Sequence, residues 1–255
     1  MAKLLLKKSY QRKNLMEVSF KNLWNSFGIF TTMRVVGKSP KIFLYKEHIG
    51  NLIRSLKVYN LYQNNVHQNI NYLVKKSLKK KINYDHLLRV ACNKNLISIS
   101  LRKRLKLSEK FYLRPLKYKR IDPQLKNLKY KKILKELSKY NPKKNDILLC
   151  YKNQILETGT SNLFLIKDNK IYSPSKNFYK GMTYKYFYKH IKIINKTIFI
   201  NQLDKYSEIL LIGSGKGVTS VLEIPSINWK RKNNKIFVKL NKIYKKGLLK
   251  LTIYD

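Results

Sequence analysis

Residues 157–166, Glu-Thr-Gly-Thr-Ser-Asn-Leu-Phe-Leu-Ile, place a carboxylate ahead of small hydroxyl residues and an apolar run that predicts a core strand. Only 13 of the 255 residues are Asp or Glu, so a carboxylate beside such a strand is conspicuous. Loops at strand ends often carry functional side chains. Taken alone, Glu157 fits either a functional carboxylate or an ordinary turn residue.

A second stretch, residues 208–219, is Glu-Ile-Leu-Leu-Ile-Gly-Ser-Gly-Lys-Gly-Val-Thr, an apolar strand that runs into a glycine-rich turn. Successive backbone amides in such a turn can hold a phosphate group. It is not a P-loop, because Leu210 and Gly217 stand where that motif needs Gly and Ser or Thr. It is not the dinucleotide fingerprint either, since Val218 replaces the last glycine. A tight strand connection without a ligand is the alternative.

Gly181-Met182-Thr183 lies at a predicted helix start. The free N–H groups and the dipole of a helix N-terminus favour an anion. The stretch is therefore a second candidate for anion binding, and an N-terminal turn without a ligand is the alternative.

The hydrophobic pattern predicts an α+β protein of two domains, residues 1–117 and 125–255, with a linker at 118–124 that contains the turn Asp122-Pro123. The first domain is predicted to contain a hairpin at 28–36 and 41–45, helices at 46–60 and 66–80, and strands at 86–92, 97–101 and 111–116. The second is predicted to contain a helix that begins at Leu125 and stops near Asn141-Pro142, a helix from 181, strands at 147–151, 162–167, 170–172, 197–200 and 208–212, and a strand followed by a helix over 235–250.

The net charge of +43, from 56 basic and 13 acidic residues, suggests a polyanion partner at first sight. The lysines are spread over nearly every segment and accompany Ile, Asn, Tyr and Phe, the residues of A/T-rich codons, so we interpret the charge as compositional. We expect a small anionic substrate and no specific nucleic acid. A basic RNA-binding protein without a cofactor is the alternative, and it predicts a clustered basic face with exposed aromatic residues.

The apolar runs are only a few residues long, against the roughly 20 that a membrane helix needs, so no membrane partner is expected. The basic N-terminus has three consecutive leucines, too few for a secretory signal. Cys92 and Cys150 lack the spacing of a disulfide framework or a zinc site, and no metal is expected. These observations favour a cytoplasmic protein.

Seven short motifs occur along most of the chain in a recognisable order. Their order resembles that of the fold-type IV pyridoxal-phosphate enzymes, also called the class IV aminotransferase family. This family includes D-amino-acid and branched-chain aminotransferases and aminodeoxychorismate lyases. The motifs are Gly28-Ile-Phe-Thr-Thr-Met-Arg-Val35, Glu47-His-Ile-Gly-Asn-Leu52, Leu125-Lys-Asn-Leu-Lys-Tyr130, Glu157-Thr-Gly-Thr-Ser-Asn-Leu-Phe164, Tyr172-Ser-Pro174, Gly181-Met-Thr183 and Gly213-Ser-Gly-Lys-Gly-Val-Thr-Ser-Val221.

The resemblance implies a homodimer with pyridoxal 5'-phosphate as cofactor. Lys126 is implied as the lysine that binds the cofactor and later moves a proton at the substrate carbon. It is chosen among neighbouring lysines for its position relative to Leu125, Tyr130 and Glu157. Glu157 is expected to pair with the pyridine nitrogen. The phosphate is expected on amides and hydroxyls of Met182, Thr183, Ser214 and Gly215.

Within the family, Phe30-Thr-Thr-Met-Arg-Val35 is most similar to the motif of the lyases that form 4-aminobenzoate and pyruvate from 4-amino-4-deoxychorismate. If the resemblance extends this far, the chain acts in folate biosynthesis, and Arg34 and Thr31 are the expected substrate-binding residues. Branched-chain or D-amino-acid transamination is the alternative, since those enzymes share the fold and the cofactor. The chain departs from the family at Asn51, where an arginine that contacts the phosphate is usual, and Arg54 or a lysine would have to replace it.

Overall fold

The structure is a computed structural model that describes residues 4–79 and 82–251. Two units form the chain, and each is an α+β unit with its own hydrophobic core. Unit 1 takes the described residues of Met1–Leu105, Leu125–Lys131 and Lys250–Asp255. Unit 2 takes Lys106–Gln124 and Lys132–Leu249. The predicted two-domain α+β fold is confirmed.

Unit 1 is built on one six-stranded sheet with the strand order β2-β1-β6-β5-β3-β4 and antiparallel pairing throughout. Two helices, α1 and α2, complete it. The strands are β1 (Leu4–Gln11), β2 (Glu17–Val18), β3 (Gly28–Gly37), β4 (Lys41–Ile42), β5 (Tyr84–Asn93) and β6 (Leu96–Lys103), and the helices are α1 (Tyr45–Val58) and α2 (Val66–Ser77).

Strand β3 shows why this sheet has one core face. Ile29, Met33 and Val35 are almost fully buried in the core of unit 1, together with helix residues such as Leu52. Successive side chains of a strand point to opposite faces, so Phe30 and Arg34 point away from that core. The register with β5 runs without a shift from Gly28 opposite Asn93 to Gly37 opposite Tyr84, which fixes every side chain of β3 on its face.

Helix α1 forms because its apolar residues recur at spacings of three and four, as predicted. The residues on this stripe are His48, Ile49, Leu52, Ser55 and Leu56, all buried. The residue before the helix, Leu44, has a left-handed backbone with φ 58° and makes no side-chain cap. Tertiary packing of the apolar stripe, and not capping, therefore accounts for most of the stability of α1.

Unit 2 contains two five-stranded sheets, with the orders β16-β15-β7-β8-β9 and β12-β11-β10-β13-β14. Its strands are β7 (Tyr112–Lys117), β8 (Asn145–Tyr151), β9 (Gln154–Thr158), β10 (Asn162–Lys167), β11 (Lys170–Pro174), β12 (Ile193–Lys196), β13 (Glu208–Gly213), β14 (Gly217–Ser220), β15 (Glu223–Ile224) and β16 (Trp229–Lys230). Its helices are α3 (Lys131–Leu137), α4 (Met182–His190) and α5 (Lys235–Leu249), with 3-10 turns at Ile200–Lys205 and Pro225–Ile227.

The start of α5 is fixed by a carboxylate from the sheet. Glu208, fully buried at the beginning of β13, accepts hydrogen bonds of 2.9 Å from the backbone N–H groups of Ile236 and Phe237. A carboxylate at a helix N-terminus satisfies unpaired amides and complements the helix dipole. The bond explains why residues 235–249 are one helix, whereas the sequence pattern predicted a strand before it; that prediction was wrong.

The helix predicted from Leu125 to near Asn141-Pro142 was wrong at both ends, because α3 begins only at Lys131 and ends at Leu137. Residues 126–128 are instead extended and hydrogen-bond to β3, with Phe30 N donating to Lys126 O and Leu128 N donating to Gly28 O, both at 2.9 Å. Pairing with a strand outcompetes the helical periodicity of the leucines.

The strand predicted at 197–200 was also wrong, since it is reduced to one bridge between Gln154 and Phe199 followed by a 3-10 turn.

The units differ from the predicted division at 117 and 125. Segment 106–124 lies in unit 2 because β7 pairs with β8, while 125–131 lies in unit 1 because of its bonds to β3. Within the described residues, every helix is too short or too polar to cross a membrane.

Candidate active site

Lys126 of unit 1 lies on the extended segment beside β3. Its carbonyl is fixed by Phe30 N, and the next residue, Asn127, bridges to Ile29. The Lys126 ammonium lies 5.0 Å from the centroid of the Phe30 ring, on the face of β3 away from the core. Backbone pairing thus holds Lys126 at a defined place beside a rigid strand.

Thr31 lies on the opposite face of β3, toward α1. Its hydroxyl is 2.7 Å from Nδ1 of His48, and both side chains are buried. Burial lowers the pKa of His48 to about 3, and the positive charge of Lys126 contributes to that shift. His48 is therefore neutral at physiological pH, so the Thr31–His48 pair places no charge on this side of the strand.

Arg34, the other predicted substrate residue, lies on the face of β3 that carries Phe30. It forms a salt bridge with Asp85 on β5, with Nη2 at 3.1 Å from Oδ1, and Arg104 binds the same carboxylate at 3.0 Å. Burial alone would raise the pKa of Asp85, but hydrogen bonds and charges of Arg104 and Arg34 lower it below its usual range. Thr31 and Arg34 therefore lie on opposite faces of β3.

Glu157 of unit 2 lies near the end of β9 and is buried, with 5% of its surface exposed. Its Oε1 accepts a hydrogen bond of 2.7 Å from Nε of Arg120, whose side chain is 1% exposed. Nη2 of Arg120 also donates to the carbonyl of Pro123 at 2.6 Å. The second oxygen, Oε2, lies 3.4 Å from the backbone N–H of Tyr179. A buried carboxylate is thus paired and aimed by a buried guanidinium.

The N-terminus of α4 is tied to the same region of unit 2 through Asn162, the first residue of β10. The side chain of Asn162 donates to the carbonyl of Tyr179 at 2.5 Å and accepts from the N–H of Gly181 at 3.0 Å. Gly181 is needed here, because a Cβ would come within 2.9 Å of Asn162 Oδ1. The helix start therefore has a fixed position beside the strand that follows Glu157.

Thr183, in the first turn of α4, carries a buried hydroxyl that has no hydrogen-bond partner among the described residues. Buried polar atoms are almost always paired, so an unpaired hydroxyl at a helix N-terminus marks a place for a ligand oxygen. Met182, the preceding predicted residue, is buried with its backbone in the first turn. These two residues fit a phosphate group.

The glycine-rich turn between β13 and β14 carries the other predicted phosphate residues. Ser214 and Gly215 are half-buried, between strands whose ends pair at Gly213 and Gly217. Gly213 packs against Ser161, because a Cβ on it would lie 3.3 Å from Ser161 Oγ. Unit 2 therefore brings together the three motifs around Glu157, Gly181 and Gly213.

Sequence reasoning missed Arg120, which lies in the segment interpreted as a linker. The available signal was its chemistry: it is an arginine in a run of lysines, just before Asp122-Pro123. Arginine is preferred to lysine in buried pairs with carboxylates. Arg54, which would have to replace the phosphate-binding arginine missing at Asn51, is exposed on α1.

Comparison with known protein families shows the family to which the chain belongs. The profile of the family described as Amino-transferase class IV matches residues 28–224. This match covers most of the chain, so the chain belongs to the class IV amino-transferase family. Pyridoxal phosphate is the cofactor of this family, and the predictions of family and cofactor are confirmed at that level. No protein in the curated set matches the chain.

Solved structures agree on the fold. A branched-chain aminotransferase from the archaeon Thermoproteus uzoniensis, solved with norvaline, is 16% identical with a TM-score of 0.79, over 97% of this chain and 99% of that one. A branched-chain amino acid aminotransferase from T.th., complexed with N-(5'-phosphopyridoxyl)-L-glutamate, is 16% identical with a TM-score of 0.79, over 100% and 99%. A putative 4-amino-4-deoxychorismate lyase from Legionella pneumophila is 18% identical with a TM-score of 0.70, over 86% and 91%.

Proposed function

We propose that this chain is a pyridoxal-phosphate-dependent lyase that converts 4-amino-4-deoxychorismate to 4-aminobenzoate and pyruvate, a step of folate biosynthesis. The observation that carries the cofactor half of the proposal is the buried Glu157, which is paired with Arg120 and connected through Tyr179 to the start of α4. A carboxylate held in this way can pair with a protonated ring nitrogen. The lyase half is supported by the motif around Thr31.

The residues of unit 2 fit the cofactor. The unpaired Thr183 hydroxyl and the amide of Met182 at the start of α4 suit a phosphate, as do the amides and hydroxyl of Ser214 and Gly215. Since no arginine stands at Asn51, the helix N-terminus and the glycine-rich turn are assigned the larger share of phosphate binding.

The bound cofactor supplies an electron sink for cleavage of bonds at the substrate carbon that bears the amine. Lys126 would hold the cofactor through Nζ and would accept the proton from that substrate carbon. Glu157 would pair with the pyridine nitrogen, while Arg120 keeps the carboxylate in place. The ring C–H bond breaks, the ether C–O bond breaks and enolpyruvate leaves, so the two products together contain every atom of the substrate.

The substrate carries two carboxylates, and the charges of unit 1 suit it. Two arginines, Arg34 and Arg104, bind the carboxylate of Asp85 beside the outer face of β3. The Thr31–His48 pair is neutral and adds no negative charge to the strand. We assign Arg34 to a substrate carboxylate. Thr31 supports the strand from its opposite face through His48.

Transamination of branched-chain amino acids is the second candidate, and the observation in its favour is the strong fold likeness to aminotransferases of that kind. It uses the same lysine and carboxylate. The two reactions differ in requirements, because the lyase needs one substrate, whereas a transaminase needs a 2-oxo acid as amino-group acceptor.

Product analysis tests the proposal. Protein loaded with pyridoxal phosphate and given 4-amino-4-deoxychorismate alone is expected to release 4-aminobenzoate and pyruvate in equal amounts. Lys126→Ala is expected to be inactive, and Lys129→Ala, which removes a lysine three positions away, is expected to keep the activity. Glutamate formed from leucine and 2-oxoglutarate, without 4-aminobenzoate, would support the transaminase instead.

We also propose that the active protein is a homodimer, as the family resemblance implies. Light scattering after size-exclusion chromatography is expected to give twice the chain mass of 30.4 kDa. A monomer with full activity would contradict this.

A further inference from the structure

Lys216, in the glycine-rich turn, is bound to a buried acid. Its ammonium lies 3.0 Å from Oδ2 of Asp146, the second residue of β8, and donates to the hydroxyl of Thr160 at 2.7 Å. The two charged side chains are 11% and 1% exposed. A buried carboxylate needs a counter-charge, and Lys216 supplies it.

Asp146 collects hydrogen bonds from the turn that follows Glu157. The hydroxyls of Thr158 and Thr160 lie 2.8 and 2.7 Å from its Oδ2, and the backbone N–H of Ile147 donates to Oδ1 at 2.8 Å. The acid is therefore the centre of a closed polar network in unit 2. Such networks are rigid when every member is satisfied.

The rest of the glycine-rich turn is held by other contacts. The hydroxyl of Thr219 donates to the carbonyl of Lys216 at 3.0 Å. Gly217 has φ +64°, and a Cβ on it would come within 2.8 Å of the ring of Tyr244. Ser214 and Gly215, directly before these fixed points, are half-buried.

We propose that Lys216 is a positioning residue: by binding Asp146, it fixes the 213–217 turn in a form whose backbone amides bind a phosphate group. The inference rests on the proposed function, in which this turn holds the phosphate of the cofactor. The Lys216 ammonium acts through the turn and does not itself contact the phosphate, because its charge is engaged by Asp146. Preorganised amides bind an anion more tightly, since the ordering cost is already met by the fold.

Four variants of the full-length apoprotein separate positioning from simple stability. Lys216→Met removes the charge, Lys216→Arg keeps it, and the double variant Lys216→Met with Asp146→Asn removes both charges. Lys170→Met, at the exposed first residue of β11, removes one positive charge elsewhere in unit 2. The measurements are the thermal unfolding midpoint and the dissociation constants for inorganic phosphate, pyridoxal phosphate and pyridoxal, which lacks the phosphate, at about 0.15 M salt.

Lys216→Met is expected to unfold at lower temperature, because Asp146 is left buried without a counter-charge. The double variant is expected to recover the wild-type midpoint. It is nevertheless expected to bind pyridoxal phosphate and inorganic phosphate about tenfold more weakly, which is the scale of one lost charge-assisted contact. Pyridoxal affinity is expected to be unchanged, and Lys216→Arg and Lys170→Met are expected to bind like wild type.

A double variant that binds both phosphates with wild-type affinity would overturn the inference, since Lys216 would then only stabilise the fold. An equal loss of affinity for pyridoxal and for pyridoxal phosphate would also overturn the inference. Wild type that binds inorganic phosphate but not pyridoxal phosphate would contradict the proposed function alone; a weaker phosphate affinity of the double variant would then still support the role of Lys216. Wild type that binds neither ligand would contradict both.

Discussion

Two buried carboxylates of unit 2, Glu157 and Asp146, are each held by a cation, and the Arg120–Glu157 pair is the one on which the proposed chemistry depends. Removal of one partner from a buried pair costs far more than the net contribution of the pair, because the remaining charge is left without compensation. An ion pair of the same kind at the surface contributes little to the free energy of unfolding. Single substitutions can therefore show which ion pairs matter.

Arg120→Met is expected to lower the free energy of unfolding by about 3–5 kcal/mol, because Glu157 loses its buried counter-charge. Urea denaturation measures the loss. Lys139→Met is the control, since Lys139 pairs with Glu136 while 56% exposed and its loss is expected to change stability little. An Arg120 variant as stable as the control would show that the pair is not the constraint on Glu157.

His48 gives stability a distinct pH dependence. The folded state keeps His48 neutral down to a pKa of about 3, whereas the unfolded chain protonates it near 6.5. Between these two pKa values the unfolded state binds a proton that the folded state does not bind. The contribution of His48 to the free energy of unfolding is therefore complete above pH 6.5. It decreases as the pH falls toward 3, by at most about 1.4 kcal/mol per pH unit.

The matched variant for this prediction is His48→Asn, which does not titrate and can still hydrogen-bond Thr31. Denaturation curves across the acid range are expected to show a steeper loss for wild type than for the variant. His190→Asn, on the exposed end of α4, is expected to follow wild type. Parallel slopes for wild type and His48→Asn would contradict the buried, neutral state of His48.

At the scale of elements, the glycines of the 213–217 turn allow β13 and β14 to pair. Gly217 has φ +64° and lies under the ring of Tyr244 on α5. Gly217→Ala is expected to destabilise the protein by about 1–2 kcal/mol or more, from backbone strain and the clash with the ring. Thermal denaturation measures it.

Gly50→Ala is the control for that substitution. Gly50 lies within α1, and a Cβ there meets nothing within 4 Å. The change is expected to stabilise the protein by about 0.5–1 kcal/mol, because alanine loses less chain entropy in a helix. Equal effects at both positions would contradict the close packing of the turn against α5.

The sequence predicted those elements whose pattern is decided locally. The stripe of α1, the strand at 162–167 and the start of α4 at Gly181 all follow from spacing or capping. It failed where a distant partner decides the local structure. Lys126 is extended because β3 binds its segment, and residues 235–249 are one helix because Glu208 binds the start of α5.

Of the candidate site, the sequence predicted the motifs but not the partners of their residues. Glu157 was conspicuous because acids are rare, yet its partner Arg120 lies 37 positions earlier. Arg34 was predicted as a substrate residue, and its salt bridge with Asp85 depends on the β3–β5 register. Pairings of this kind are properties of the fold, and no local pattern encodes them.

At the scale of the whole molecule, the net charge of +43 is expected to govern encounter with anions. Binding of random single-stranded oligonucleotides is expected at about 0.05 M salt and to be largely lost at about 0.2 M, without sequence preference, because it rests on counterion release. Fluorescence anisotropy measures it. Sequence-specific binding that persists at the higher salt would favour the RNA-binding alternative.

The central claim is that Lys126 binds pyridoxal phosphate covalently in a class IV amino-transferase fold. The most direct measurement is the visible absorption spectrum with pyridoxal phosphate, before and after borohydride, followed by mass spectrometry of the peptides, for wild type, Lys126→Ala and Lys129→Ala. Wild type and Lys129→Ala are expected to show a yellow band that borohydride converts to a stable adduct at Lys126, and Lys126→Ala is expected to show none. No adduct in any protein, or an adduct at another lysine, would contradict the claim.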